Sequence, residues 1–73
     1  MKTVLSARAV KKLMQEASPD NPIGKAAIMT VIEELIDYTK TLSTHAAKFS
    51  KLAGRTTIMP QDIKTSIEYN RKH

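Results

Sequence analysis

Between Pro22 and Pro60 no proline interrupts the chain, and over about thirty residues of that stretch apolar side chains recur at helical spacing. Ala27, Val31, Leu35, Tyr38, Leu42, Ala46, Phe49 and Ala53 advance by steps of three and four, the signature of one continuous stripe. The spacing predicts a helix from about Gly24 to Ala53 with Gly54 as its C-cap. At 1.5 Å per residue such a helix is roughly 45 Å long. In a chain of 73 residues, little remains to cover it. An antiparallel copy of the same helix is the economical partner, which places Val31, Leu35, Tyr38, Leu42, Ala46 and Phe49 in a dimer core.

The flanks read as two short helices. Ser6 is placed to cap a first helix over Ala7–Ala17, with apolar positions Ala9, Val10, Leu13, Met14 and Ala17. Ser18-Pro19-Asp20-Asn21-Pro22 cannot continue it. A third helix opens at Pro60, where a missing N–H costs nothing. Gln61 and Asp62 in its first turn suit the helix dipole, and the pattern frays over Asn70-Arg71-Lys72-His73. The fold class is therefore all-α: one domain over residues 1–73, with its core over about 7–71.

A domain this small buries only about 60% of its unfolded surface, and disulfides, metal or oligomerisation often complete it. With no cysteine and with only His45 and His73 as histidines, disulfides and a structural zinc site are both unsupported. Oligomerisation is left. No glycine-rich phosphate loop is present, no serine has a positioned base, and Glu33, Glu34 and Asp37 read as a solvated face. The chain reads as neither an enzyme nor a cofactor or small-molecule binder. No apolar run reaches the length of a membrane span, and Met1–Ser6 lacks the apolar block of a signal peptide. The expected location is cytoplasmic.

Charge points to a polyanion. Twelve Lys+Arg against seven Asp+Glu give +5. Lys25 stands at the start of the long helix, with Lys48, Lys51 and Arg55 at its end and the acids in its middle. Antiparallel pairing would bring Lys25 of one copy near Lys51 and Arg55 of the other. Within the chain, Arg55 either only pairs with Asp62, pinning the loop to the third helix, or is oriented by Asp62 while its far side meets a polyanion. Ile28, Ile32 and Ile36, flanked by Met29, form an additional row on the long helix. Either the first helix covers that row, or it makes a dimer–dimer contact that closes a tetramer. His45 reads as a partly exposed surface residue, and Tyr38 and Phe49 as core rather than base-stacking groups.

The order short helix, long helix, short helix, together with Ala53-Gly54-Arg55-Thr56-Thr57-Ile58 and Gln61-Asp62-Ile63, resembles the histone fold of small archaeal and bacterial histones over about Ala7 to Arg71. The resemblance implies a handshake homodimer in which each first loop lies beside the partner's second loop. It also implies a nucleoid-associated protein that compacts, bends or bridges double-stranded DNA with little sequence preference. Arg55 would point into the minor groove with Thr57 and Thr56 beside it, and Lys51, Lys25 and Lys12, with Lys11 and Arg8, would meet phosphates. Two departures stand out: Pro22 occupies a place that is usually basic, and Leu52 replaces a histidine used in assembly. Asn21-Pro22 could also start the long helix a turn early. The rival reading is a histone-fold module that docks proteins. A helix-turn-helix reader fits poorly, because the third helix offers mainly Lys64 and Asn70 for base contact.

Overall fold

The computed structural model describes residues 5–72, so the leader-free reading of residues 1–4 and any role of His73 lie outside the described residues. The helices run α1 (Ala7–Ala17), α2 (Lys25–Leu52) and α3 (Pro60–Lys72), with no strand among the described residues. Each boundary has a local cause. The Ser6 hydroxyl accepts from the Ala9 N–H at 3.2 Å and caps α1. At the other end the Ser18 N–H donates to the Met14 carbonyl at 3.0 Å, and Pro19 then forbids a further turn. The Asn21 N–H closes back on the Ser18 carbonyl at 3.2 Å, a turn with proline at its second position. Gly24 supplies the carbonyl that accepts the Ile28 N–H at 3.2 Å, so α2 does not begin a turn early at Asn21-Pro22.

Gly54 ends α2 with φ +76°, in the left-handed region. The Arg55 N–H returns to the Ser50 carbonyl and the Gly54 N–H to the Lys51 carbonyl, both at 3.0 Å. This pair of bonds is the Schellman ending that satisfies the last carbonyls of a helix. Helix α3 runs to Lys72, past the point where fraying was expected. Arg71 and Lys72 face the negative end of the helix dipole, and Arg71 reaches Glu68 at 3.4 Å.

Packing divides within α2 into two compact units, Met1–Ile36 and Asp37–His73. In the first unit Val10, Ile28 and Ile32 form the buried cluster, and Leu5, Met14, Ile23, Val31 and Ile36 pack against it. The isoleucine row is therefore covered by α1 and is not a free face. Ile32 is only 2% exposed, and the surface expected for a dimer–dimer contact keeps Met29 but loses Ile28 and Ile32 to the chain's own core. Leu13, expected among the packed positions of α1, instead stands exposed.

In the second unit α3 packs against α2 through rings. Tyr69 meets His45 edge-on at 4.8 Å between centroids and Phe49 at 6.3 Å. His45 is thus partly exposed, as expected, with its ring against Tyr69, and its Nδ1 has no hydrogen-bond partner among the described residues. Small residues fill the tightest places: Ala46, Ser50 and Ser66 are all buried. Ala46, expected in the dimer core, is already enclosed by its own unit, because a side chain that small admits a close helix approach. The middle of the stripe behaves differently, with Leu35 40% and Tyr38 43% exposed.

Truncating the first unit's centre tests this packing. Ile32→Ala should lower the unfolding free energy by about 2 to 5 kcal/mol, from lost burial plus the cavity left behind. A urea denaturation midpoint unchanged from the parent would show that Ile32 is not in the core.

Candidate nucleic-acid interface

The site lies in the second unit, at the corner between α2 and α3. Its centre is Arg55, one residue past the left-handed glycine. The guanidinium grips the Asp62 carboxylate with two hydrogen bonds, Nη1 to Oδ2 at 2.8 Å and Nη2 to Oδ1 at 2.9 Å. This fork geometry is the strongest form of such a pair. Nη1 also donates to the Thr57 carbonyl at 3.2 Å. Asp62 in turn accepts the Met59 N–H at 2.8 Å, so the same carboxylate caps the start of α3. One acid thereby fixes the arginine and begins the next helix.

Burial is unequal across the pair. The Asp62 side chain is 4% exposed and the Arg55 side chain 31%. A guanidinium has five N–H donors. Two on Nη1 and one on Nη2 are used here, which leaves the second Nη2 hydrogen and the Nε–H without a protein acceptor among the described residues. The arrangement presents a fixed cation with spare donors at a partly open surface. Arg55's hydrogen bonds from its guanidinium to Asp62 hold that carboxyl below its ordinary range, with help from the Met59 N–H and against the effect of burial. Reciprocally, Asp62 raises the already high pKa of Arg55, so the cation is permanent.

The other expected contacts fall into two groups. Lys51, Thr56 and Thr57 are exposed and belong to the same corner as Arg55. A shallow groove there is lined by Ala47, Ser50, Lys51, Arg55, Thr56 and Ile58. Lys25 and Lys12 are exposed in the first unit, on α2 and α1. Neither they nor Lys51 form an ion pair among the described residues. Leu52 is 83% exposed beside the corner.

Sequence reading passed over Ser50. It is buried, its hydroxyl lies 2.9 Å from the Thr57 carbonyl and 3.2 Å from the Arg55 carbonyl, and its own carbonyl accepts the Arg55 N–H. The available signal was a serine four residues before the capping glycine, on the packed side of a helix. No group of His, Cys, Asp or Glu able to hold a metal occurs among the described residues.

Comparison with known proteins adds one finding. The family model for the core histone domain, which covers all four core histone types, matches residues 3–69 of this chain. No curated protein matches it.

The ion pair makes acid sensitivity predictable in sign. Asp62 has a lower pKa folded than its ordinary 3.8, so its stabilising contribution is complete above that value and is lost as pH falls through the folded pKa. Thermal melts followed by circular dichroism should show Asp62→Asn melting below the parent at neutral pH, with the difference shrinking on acidification below the ordinary carboxylate range. A difference that stays constant down to that range and beyond would remove the pair from the stability of the corner.

Proposed function

Because the chain belongs to the core-histone family, we propose that it is a DNA-binding histone, acting as a homodimer in which two copies of α2 pair antiparallel. Histone-fold proteins in general bind DNA and form dimers, and the family is in general non-enzymatic. Support for dimerisation comes from the middle of α2, where Leu35 and Tyr38 of the apolar stripe stand exposed. In that pairing, Lys25 of one copy approaches Lys51 and Arg55 of the other, giving a basic cluster at each end of the dimer.

The observation that carries the DNA reading is the state of Arg55. It is permanently charged, held by a buried carboxylate, partly exposed and left with two N–H groups that no described residue accepts. A cation already oriented loses little side-chain freedom on contact. Narrow A·T-rich minor grooves concentrate negative potential and attract such an arginine. Lys51, Lys25 and Lys12, with Lys11 and Arg8, neutralise flanking phosphates, while Thr56 and Thr57 border the arginine. Such binding tolerates sequence and depends on salt, with log K falling about 0.9 per phosphate neutralised per log unit of salt. It serves to bend, compact or bridge duplex DNA on the chromosome. The covered isoleucine row is not carried forward as a dimer–dimer surface. No helix among the described residues is long and apolar enough to cross a membrane.

Binding to a duplex fragment at two salt concentrations tests the reading. Arg55→Ala should weaken binding by roughly tenfold or more, the scale of a lost charge-assisted hydrogen bond. Asp62→Asn discriminates further. It removes a negative charge, so general electrostatics would tighten binding, whereas loss of the arginine's orientation would loosen it. Weaker binding is expected. A folded dimer that ignores DNA at low salt would overturn the proposal in favour of a protein-docking module.

A further inference from the structure

We infer that Ser50 is a positioning residue for DNA contact, acting through Arg55; the inference rests on the DNA reading of that arginine. Hydroxyls on a helix usually turn back to the carbonyl one turn earlier. Thr30 does so to Ala26, Thr44 to Lys40, Thr65 to Gln61 and Ser66 to Asp62. Ser50 instead points forward, out of the helix and into the loop, to carbonyls five and seven residues on. Its single hydroxyl proton is shared between Thr57 O at 2.9 Å and Arg55 O at 3.2 Å.

The consequence is geometric. The Ser50 carbonyl accepts the Arg55 N–H while the Ser50 hydroxyl donates to the Arg55 carbonyl, so one residue holds the arginine's backbone from both sides. The Thr57 carbonyl that receives the Ser50 hydroxyl also receives Arg55 Nη1 at 3.2 Å. Ser50 therefore fixes one of the acceptors that aim the guanidinium. The other, Asp62, arrives from α3. With Ser50 only 2% exposed, water is poorly placed to replace the hydroxyl. Alanine there would keep the backbone bond from the Arg55 N–H to the residue-50 carbonyl but strip the Thr57 and Arg55 carbonyls of their hydroxyl donor, and the arginine would sample more orientations.

A double-mutant cycle separates this role from general stability. Ser50→Ala, Arg55→Ala and the combination are titrated with an A·T-containing duplex at two salt concentrations, with helicity and dimer mass measured for each. Ser50→Ala should weaken binding about 3- to 10-fold, the scale of one hydrogen bond. Its salt slope should match the parent's, since no charge is removed. In the Arg55→Ala background the same substitution should change affinity by less than about twofold, because independent effects would add. If Ser50→Ala loses helicity, Ser50→Cys, close in size and a weaker donor, takes its place in the cycle, with a smaller loss expected. Unchanged binding by the Ser50 variant, or an equal loss in both backgrounds, overturns the inference while leaving the DNA reading intact. An Arg55→Ala protein that binds like the parent removes the DNA role of that arginine, and the inference with it, while a parent that ignores DNA at low salt removes the DNA reading as a whole.

Discussion

A helix of 28 residues joined to helices of 11 and 13 residues sets the terms for everything else in this molecule. Helix α2 is roughly 42 Å long at 1.5 Å per residue. Each short helix packs on one part of it, and each makes a separate cluster: Val10 with Ile28 and Ile32, and Tyr69 with His45 and Phe49. Leu35 and Tyr38, on either side of the boundary between the two units, remain exposed. Burying apolar area there contributes about 25 cal/mol per Å². In so small a chain, a second copy is the cover that the proposed dimer provides.

The corner after α2 shows how few residues can define the proposed DNA-binding surface when each satisfies more than one demand. Gly54 turns the chain and closes the helix end. Asp62 starts α3 and holds Arg55. Ser50 ends one helix with its carbonyl and shapes the loop with its hydroxyl. Burial of Asp62 beside a partly open Arg55 keeps the negative charge inside and turns the positive one outward. In the proposed DNA complex, that asymmetry presents the positive member of the pair to the polyanion, although the corner contains both charges.

Much of this was legible in advance, and the exceptions share a cause. The Ser6 cap, the proline-rich break after Ala17, Gly54 and Pro60 bracket the helices to within a residue or so, because caps and breakers act through neighbouring backbone groups. The spacing of Arg55 and Asp62 pointed to their pair for a similar reason: both belong to one short loop and its following turn. The isoleucine row was different. Whether Ile28 and Ile32 face α1 or another molecule depends on how a helix a dozen residues away folds back. Ala46 followed the stripe in periodicity yet was enclosed by its own unit, because periodicity reports a face and not what covers it.

By itself, then, the sequence determined three helices, their order and caps, a basic surface and an arginine poised next to an acid. All of these follow from periodicity, local hydrogen bonding and charge. Tertiary structure decided which apolar residues each unit encloses, that His45 lies against Tyr69, and that the Ser50 hydroxyl leaves its helix for the loop carbonyls. Those outcomes depend on how closely separate segments approach, and a hydroxyl with acceptors on both sides chooses between them only once the loop is folded within reach.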